Sequence, residues 1–402
     1  MKFVSEAFCL YLTIYRYSIG IFTEYFKKYF EFCRKKIIVN DKILSHTYEG
    51  EKMKTYKIAV IPGDGIGKEV VPAAIQVLEQ VAKNDGSFQF EWTYFPWGCD
   101  YYLENGEMMP KDGIETLKKF DQIFLGAVGM PEQVPDHISL WGLLIKIRRE
   151  MKQAINVRPA KLLKGLDSPL KNPNNFNITV VRENSEGEYS ESGGRIHQGQ
   201  DEIAIQNAIF TRKATERAMR YAFELAKNSR GHVTSATKSN GLTYSMPFWD
   251  EVFAEVKQDY LDIDTAVNHI DALAAFFVMK PHVFDVIVAS NLFGDILTDL
   301  GGAIMGSIGI APAANLNIER EYPSMFEPVH GSAPDIAGKG IANPIGQIWT
   351  GKMMLDFLGH HEAGQKMMDA IEATLEKGIK TGDIGGSSTM EEVVTEILKQ
   401  LN

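Results

Sequence analysis

Two acidic residues four positions apart, Asp295 and Asp299, follow a strong apolar strand pattern at residues 285–289. Residues with this spacing lie on one face of a helix. Two carboxylates so placed repel each other unless a cation or a base lies between them. Hard divalent cations take oxygen ligands, so the pair indicates a site for Mn2+ or Mg2+. The alternative for Asp295, but not for Asp299, is an acid favoured by a helix N-terminus.

Arginines that could bind the carboxylates of a small diacid recur in the middle of the sequence. Arg148 lies in a helical pattern at residues 140–151, Arg158 precedes a proline, and Arg182 ends a strand pattern. A planar guanidinium group pairs with a carboxylate through two hydrogen bonds. For Arg158 and Arg182 a surface salt bridge is an equally good explanation, and Arg149 fits a solvent-exposed helix face.

Two glycine-containing loops are candidates for binding a nucleotide. Gly63, Gly65 and Gly67 lie between a strand pattern and a helical pattern, so their backbone could approach a ligand. Their spacing is not G-x-G-x-x-G, and a tight strand-to-helix turn explains them equally well. Residues 327–335 form a polar loop that ends in Asp335. An acid there accepts hydrogen bonds from ribose hydroxyls and repels a 2′-phosphate, which favours NAD over NADP.

The segments that must position these residues alternate between short β-branched runs and longer amphipathic ones. This alternation predicts an α/β protein with a mostly parallel sheet covered by helices. A helix is predicted to begin at Thr211, whose hydroxyl is a candidate cap. Residues 164–175, rich in Pro, Asn and Gly, are predicted to be a loop where the chain enters a second domain. Strands are predicted at residues 57–61, 88–95, 122–128, 178–182, 203–210, 233–237, 285–289 and 325–328.

The composition is that of a globular, enzyme-sized chain. It has 402 residues, 45% of them hydrophobic, and a net charge of −10. The negative charge argues against a general nucleic-acid binder, which needs clustered Lys and Arg. Cys9, Cys33 and Cys99 form neither a disulfide framework nor a zinc spacing. A reducing compartment, the cytoplasm, is therefore predicted.

Residues 1–52 differ in composition from the rest of the chain. They hold nine Lys and Arg against six Asp and Glu, a net charge of +3 (9 − 6), and are rich in aromatic residues. Back-translation of residues 49–52 permits a purine-rich stretch resembling a bacterial ribosome-binding site before Met53. We therefore predict that residues 1–52 are an extension from a mis-assigned start, and that Met53 is the true start. A membrane or partner anchor at residues 7–26 is the alternative, although Arg16 and Glu24 weaken it.

Several of these features occur together and in a characteristic order. The combination resembles the isocitrate/isopropylmalate dehydrogenase family over about residues 55–400. Within that family, residues 134–142, Val-Pro-Asp-His-Ile-Ser-Leu-Trp-Gly, are most similar to the decarboxylating dehydrogenases of tartrate and D-malate. The features that carry the resemblance are residues 62–67, the pair Arg148 and Arg158, residues 181–184 (Val-Arg-Glu-Asn), residues 238–240 (Lys-Ser-Asn), residues 291–295 (Asn-Leu-Phe-Gly-Asp) and the loop at residues 330–343.

The resemblance implies an isopropylmalate dehydrogenase-like two-domain α/β fold with a mixed, largely parallel sheet that is not a Rossmann fold. Residues 53–154 and 306–402 would form the large nucleotide-binding domain. Residues 155–305 would form the small domain for dimerisation and metal binding. The family also implies a homodimer whose active sites are shared between subunits, with Lys238 and Asp271 reaching the partner's cleft.

The resemblance also assigns roles to individual positions. It implies NAD and either Mn2+ or Mg2+ as cofactors and leaves K+ as an open candidate. The catalytic pair would be Tyr189 and Lys238, and the metal ligands Asp271, Asp295 and Asp299. Arg148, Arg158 and Arg182 would bind substrate carboxylates beside Trp141 and Leu144, and NAD would contact Asn240, His330, Gly331, Ser332, Ala333, Asp335 and Asn343.

Substrate choice depends on residues that precede the first substrate arginine. Isocitrate relatives carry Ser and Asn at the positions of Gly142 and Leu144, so a third carboxylate has no evident partner here. Trp141 replaces a Glu of isopropylmalate relatives, and its bulk should shrink the pocket. The resemblance thus implies oxidative decarboxylation of a small (2R)-hydroxy dicarboxylate, D-malate or tartrate.

Two other functions stay open at this point. If Trp141 packs elsewhere, the pocket would suit 3-isopropylmalate. A non-catalytic regulatory subunit of the same fold is the other alternative, although the retained Tyr189, Lys238 and aspartates argue against it.

Overall fold

The computed structural model describes residues 53–402, whose centre is one ten-stranded sheet in the order β2-β1-β3-β12-β11-β4-β5-β10-β8-β9. A separate two-stranded sheet pairs β6 with β7. The strands are β1 (Lys54–Gly63), β2 (Phe88–Tyr94), β3 (Gln122–Ala127), β4 (Ile155–Lys161), β5 (Asn177–Glu183), β6 (Gly193–Ile196), β7 (Ile203–Gln206), β8 (His232–Thr237), β9 (Asp264–His269), β10 (Val286–Ala289), β11 (Pro312–Leu316) and β12 (Ser324–Pro328).

The helices pack against this sheet and against one another. They are α1 (Gly67–Asp85), α2 (Cys99–Asn105), α3 (Gly113–Leu117), α4 (Asp136–Ser139), α5 (Ile145–Glu150), α6 (Arg212–Lys227), α7 (Ser245–Lys257), α8 (Ile270–Met279), α9 (Asn291–Met305), α10 (Ile345–Leu358), α11 (His361–Glu376) and α12 (Met390–Leu401). A π-helical turn, Leu140–Leu144, joins α4 to α5. Such turns interrupt the regular α-helical spacing and are common at functional sites.

The sheet contains two parallel groups that run in opposite directions. Strands β2, β1, β3 and β12 form one group, and β5, β10, β8 and β9 form the other. Antiparallel β11 and β4 join them. Strands buried on both faces consist of continuous apolar residues, as in residues 58–61, all fully buried. The predicted α/β fold with a mixed, largely parallel sheet is confirmed.

Most predicted strands are present, but the structure also contains strands that the sequence analysis did not predict. Strands β4, β6, β9 and β11 were missed, and of residues 203–210 only β7 is a strand, outside the main sheet. β4 contains Arg158 and Pro159, and β9 carries polar residues at the sheet edge. The sequences of β4 and β9 lack the apolar runs on which the strand predictions relied. The helix predicted at Thr211 is correct, because the Thr211 hydroxyl accepts a hydrogen bond from the Ala214 amide.

The predicted domain division coincides with element ends but stays a prediction. β4 begins at Ile155, and α9 ends at Met305. The predictions for residues 1–52 lie outside the described residues. Of residues 53–402, no helix is both long and apolar enough to cross a membrane.

Candidate active site

A cavity of about 220 Å³ lies where β3, β4, β5 and β12 meet the helical segment that contains Arg148. It brings together many residues that are distant in sequence. The cavity is lined by Gly126, Ala127, Val128, Leu140, Leu144, Ile145, Arg148, Arg158, Arg182, Tyr189, Asp295, Glu327, Pro328, Val329, His330 and Gly331. All three predicted substrate arginines, the predicted proton donor, one predicted metal ligand and the start of the predicted cofactor loop are therefore in one place.

Arg158 and Arg182 are buried arginines that converge on Asp295. The Nη1 atom of Arg182 donates to Asp295, and the Nη1 atom of Arg158 lies 3.3 Å from the same carboxylate oxygen. Only 8% of Arg158 and 2% of Arg182 is exposed to solvent. Surface salt bridges, the alternative raised by the sequence, do not describe these two residues.

The charges of this cluster are strongly coupled. Burial, together with the neighbouring Arg158, lowers the pKa of the Arg182 guanidinium to about 10. Burial also lowers the pKa of Arg158. Burial alone would raise the pKa of Asp295, but Arg182 and Arg158 outweigh it and hold that pKa below its ordinary value. Two buried cations share one fully ionised carboxylate here, so an anionic ligand would relieve their mutual repulsion.

Tyr189 completes the cluster from the loop between β5 and β6. Its hydroxyl donates to Asp295 Oδ2 at 2.9 Å, and the Arg182 guanidinium carbon lies 5.5 Å from the centre of its ring. Burial raises the pKa of Tyr189, and the Asp295 carboxylate raises it further. The hydroxyl therefore keeps its proton at neutral pH, as a proton donor must.

Arg148 is held by an acid that the sequence analysis gave no role. Its Nη2 atom donates to Glu327 Oε1 at 2.5 Å, and Asn315 donates to the same oxygen at 2.7 Å. Glu327 is buried at the end of β12 and lines the cavity. The sequence does contain a signal for Glu327: it is an acidic residue within an otherwise apolar strand, next to the loop predicted to bind a ligand.

Polar residues of α9 orient the other two arginines. The Asn291 side-chain oxygen accepts hydrogen bonds from Arg182 Nε and Nη2 at 2.9 and 2.7 Å. The Thr298 hydroxyl accepts one from Arg158 Nη1 at 2.8 Å. By contrast, the buried Nε atoms of Arg148 and Arg158 have no hydrogen-bond partner.

The predicted metal ligands fall into two groups. Asp295 and Asp299 lie on α9, where Asp299 is 61% exposed and 3.6 Å from Arg158 Nη1. Asp271 lies elsewhere, at the start of α8, and accepts a hydrogen bond from Lys238 Nζ at 2.7 Å. Within residues 53–402, no three acidic, histidine or cysteine side chains of one chain assemble as a metal site. Asp295 and Asp299 fit a hard divalent cation only if further oxygen ligands come from outside the chain.

Trp141 and Leu144 differ in their relation to the cavity. Leu144 lines it, whereas Trp141 does not. The Trp141 ring instead faces Arg149, whose guanidinium carbon lies 4.8 Å from the ring centre. The role of Trp141 in reducing pocket size therefore stays a prediction, and in this structure it has no direct contact to support it.

The predicted cofactor loop lines two neighbouring cavities. His330 and Gly331 line the first, and Pro334 and Asp335 line a second one of about 740 Å³. Val128 belongs to the first and Gly129 to the second, so the two cavities are adjacent. Asp335 is exposed on this loop, as contact with a ribose would require.

His330 lines the first cavity and has one ring nitrogen without a hydrogen-bond partner. Its Nδ1 atom lies 3.0 Å from the Gly331 carbonyl oxygen, which can only accept, so Nδ1 carries the proton. Burial lowers the pKa of His330, which keeps the ring neutral and leaves Nε2 as an acceptor. Nε2 is buried without a partner. His330 and Asp335 therefore line two adjacent cavities on one loop, and their contact with a nucleotide stays a prediction.

The glycines before α1 support the cofactor loop through close backbone contacts. The Ile66 amide donates to the Ser332 carbonyl oxygen at 2.8 Å. Gly65 has a φ of +51°, and a β-carbon there would lie 2.0 Å from that oxygen. The buried Asp64 carboxylate accepts hydrogen bonds from the amides of Cys99 and Gly129 at 2.8 and 2.9 Å. Of the two explanations raised by the sequence, the tight turn describes Gly65.

Three other predicted cofactor residues are placed less directly. Asn343 uses its side chain within the protein, because Oδ1 accepts from the Ile345 amide at 3.0 Å and Nδ2 donates to Asp383 at 3.0 Å. Ala333 adopts a positive φ of 40° within the loop. Asn240 is exposed in the turn that follows β8 and lines neither cavity. Their contacts with NAD stay predictions.

Comparison with known proteins identifies the family. The family model described as isocitrate/isopropylmalate dehydrogenase matches residues 57–400. The chain belongs to the isocitrate/isopropylmalate dehydrogenase family. It is 66% identical to the probable tartrate dehydrogenase/decarboxylase of Bacillus subtilis over 349 residues, 87% of this chain and 99% of that protein. It is 54% identical to the decarboxylating D-malate dehydrogenase of Escherichia coli over 357 residues, 86% of this chain and 99% of that protein.

Solved structures of the same family share the fold. The isocitrate dehydrogenase of Methylococcus capsulatus superposes with a TM-score of 0.78 at 33% identity, covering 86% of this chain and 99% of that one. The β-decarboxylating dehydrogenase of Thermococcus kodakarensis gives 0.70 at 36% identity, covering 86% and 96%. The resemblance deduced from the motifs is confirmed, and the chain is a family enzyme.

In this family member, Gly65→Ala is expected to raise the KM for the predicted cofactor, NAD, about tenfold or more, which corresponds to ~1.4 kcal/mol. The added β-carbon would push the Ser332 carbonyl, and with it the cofactor loop, out of place. Initial-rate kinetics with varied NAD measures this. Gly378→Ala is the matched control, because Gly378 also has a positive φ, +79°, but no atom within 4 Å of an added β-carbon. An unchanged KM in folded Gly65→Ala would contradict the prediction.

Proposed function

We propose that this enzyme oxidatively decarboxylates a small (2R)-hydroxy dicarboxylate, D-malate or tartrate, with NAD and either Mn2+ or Mg2+. The observation that carries the proposal is the convergence of three arginines, Tyr189 and Asp295 on one small cavity. The relatives at 66% and 54% identity carry tartrate and D-malate in their names, which supports the same substrate class.

The size and charge of the cavity support a short diacid. Its volume of about 220 Å³ is below the range of roughly 300–1,000 Å³ typical of pockets for drug-sized ligands. Arg148, Arg158 and Arg182 supply more positive charge than Asp295 and Glu327 neutralise, counted as three cations against two carboxylates. One substrate carboxylate would complete the balance, and the divalent metal would offset the second.

The proposed cofactors would supply what these side chains cannot. NAD would accept the hydride from C2, and a divalent metal would polarise the C2 hydroxyl and carbonyl oxygens. Asp295 and Asp299 would hold the metal with Asp271 of the partner chain. His330 and Asp335 would hold the nucleotide. K+ is included in the proposal as a candidate activator.

The chain's own residues would then handle the protons. Lys238 would accept the proton of the C2 hydroxyl when hydride leaves, and the resulting 2-oxo acid would lose the carboxylate attached to C3 as CO2. The electron pair of the broken bond would form an enolate between C2 and C3. The enolate would take a proton at C3 from the Tyr189 hydroxyl, which restores the C2 carbonyl, and Tyr189 would regain a proton through solvent. General acid–base steps of this kind contribute about 10²- to 10⁴-fold to rate.

We also propose a homodimer in which each active site uses residues of both chains. Lys238 does not line the cavity of its own chain. It instead forms an ion pair with Asp271 of the same chain, outside that cavity. A catalytic Lys that is absent from its own cavity is expected when the partner's cavity receives it.

A heterodimer of one Lys238→Met chain and one Tyr189→Phe chain tests this sharing. If sites are shared, one site contains both intact residues, and the heterodimer should have about half the wild-type kcat per dimer. Each variant homodimer serves as a control and should be nearly inactive. The heterodimer is purified with two different affinity tags, and its rate of NAD reduction is measured. No recovery of activity would contradict the sharing of sites.

One observation favours a second candidate, 3-isopropylmalate. Trp141 does not line the cavity, so its side chain does not limit the space beside Leu144 in this structure. That space could accept a branched alkyl group at C3.

A substrate panel decides between the candidates. A chain beginning at Met53 is assayed for NAD reduction with Mn2+ and K+ against D-malate, meso- and L-tartrate, 3-isopropylmalate and isocitrate. The proposal predicts the highest kcat/KM for D-malate or a tartrate, and loss of activity with EDTA. A lead for 3-isopropylmalate would assign the second function instead.

A further inference from the structure

Arg149 joins two separate parts of the chain beside the cavity. It lies in α5 directly after Arg148, yet its Nη2 atom donates to the Tyr189 carbonyl oxygen at 2.5 Å. Its Nη1 atom pairs with the Glu191 carboxylate, and its guanidinium group lies over the Trp141 ring. The Arg149 side chain is 33% exposed, so the solvated helix face expected from the sequence describes it only in part.

The loop that carries Tyr189 is linked to residues 206–209 by hydrogen bonds of Gly187, Glu188 and Ser190, none of which involves Tyr189 itself. Tyr189 is fixed by its hydroxyl bond to Asp295 and by the bond from Arg149 to its carbonyl. Among residues 53–402, no other group donates to that carbonyl. Glu191 has a φ of +54°, a backbone conformation that residues other than glycine rarely adopt. Glu191 also forms the ion pair with Arg149.

The three contacts suit the shape of a guanidinium group. Its central carbon lies 4.8 Å from the centre of the Trp141 ring, while Nη2 donates to the Tyr189 carbonyl and Nη1 to the Glu191 carboxylate. An ammonium group cannot stack and donate in two fixed directions at once. A lysine at this position would therefore keep the charge but lose part of the arrangement.

We propose that Arg149 is a positioning residue that places the Tyr189 hydroxyl for the protonation step. It acts by tying the Tyr189–Glu191 backbone to the helical segment of Trp141. Tyr189 is thereby held at both ends, by Arg149 at its backbone and by Asp295 at its hydroxyl. The inference rests on the proposed function, in which Tyr189 gives its proton to C3 of the enolate.

Four variants test the proposal: Arg149→Met, Arg149→Lys, Tyr189→Phe and the double variant Arg149→Met/Tyr189→Phe. Arg149→Met is expected to lower kcat about 10- to 100-fold, since small misplacements of reacting groups cost up to about that much. The KM for the substrate should stay within about twofold, because Arg149 does not touch the cavity. Arg149→Lys should lie between Arg149→Met and wild type, and added guanidinium ion should partly restore Arg149→Met.

The double variant separates positioning from general damage. If Arg149 acts through Tyr189, then Arg149→Met should change kcat by less than about twofold in the Tyr189→Phe background. Arg212→Met is the matched control, because Arg212 also pairs with an acid, Glu255, and lies 5.3 Å from the centre of the Phe248 ring. The same fold loss in both backgrounds, or an equal loss in Arg212→Met, would overturn the proposal.

Amide hydrogen exchange provides a readout that needs no activity. Exchange at residues 186–192 should be faster in Arg149→Met than in wild type, and unchanged in Arg212→Met. Unchanged exchange in Arg149→Met would overturn the positioning role. If wild type oxidises none of the hydroxy acids but exchange responds as expected, the proposed function fails while the tie between Arg149 and the Tyr189 loop stands.

Discussion

Arg182→Met is expected to lower kcat/KM for the best hydroxy dicarboxylate about 10³-fold, with the larger part of the loss in KM. Removing one member of a buried, hydrogen-bonded charge cluster costs ~2–5 kcal/mol, and each 1.4 kcal/mol is a factor of ten. Arg182 is 2% exposed and contacts Asp295 and Asn291 as well as the ring of Tyr189. Its loss would remove a carboxylate partner and leave Asp295 with less positive charge nearby.

Steady-state kinetics and thermal unfolding together check this expectation. Methionine keeps most of the side-chain volume, so the folded state should survive at a lower Tm. Arg182→Lys retains the charge without the planar fork and should recover only part of kcat/KM. Arg195→Met is the control, because Arg195 is 74% exposed and pairs with Glu202 at the surface. A loss below about tenfold in a folded Arg182→Met enzyme would contradict carboxylate binding by Arg182.

Tyr189→Phe is expected to lower kcat by about 10²- to 10⁴-fold, the usual contribution of a general acid. The substitution removes one hydroxyl, whose hydrogen bond to the Asp295 carboxylate contributes about 1.5–3 kcal/mol at most. Because the ring and its contact with Arg182 remain, the KM and the Tm should change little. Turnover should therefore be impaired far more than folding.

The same variant permits a direct check on the step that is lost. Rates of NADH formation and of product release as the decarboxylated 2-oxo acid are measured separately in wild type and Tyr189→Phe. The decarboxylated product should fall more than a single-turnover hydride transfer does. Tyr221→Phe is the matched control, since Tyr221 lies in another cavity, beside Leu225 and Phe357. Equal turnover in wild type and Tyr189→Phe would show that Tyr189 is not the proton donor.

The sequence determined the fold class and the types of residue at the site. Apolar runs such as residues 58–61 predict buried parallel strands, because such strands are covered on both faces. The spacing of Asp295 and Asp299 placed both on one face of α9, because helical periodicity is a local property. The family motifs identified Arg148, Arg158, Arg182 and Tyr189, and the structure brings all four to one cavity.

Only the tertiary structure decided which partners these residues have. Arg148 meets Glu327 across 179 positions of sequence, and Arg182 meets Asp295 across 113. Arg149 is another example. The sequence predicted a solvent-exposed helix face for it, and the fold brings its guanidinium group to the Tyr189 carbonyl. Trp141 faces Arg149, a neighbour in the adjoining helical segment, and the fold leaves it outside the lining of the cavity. Local spacing fixes the face of a helix on which a side chain lies, but which element packs against that face depends on the whole chain.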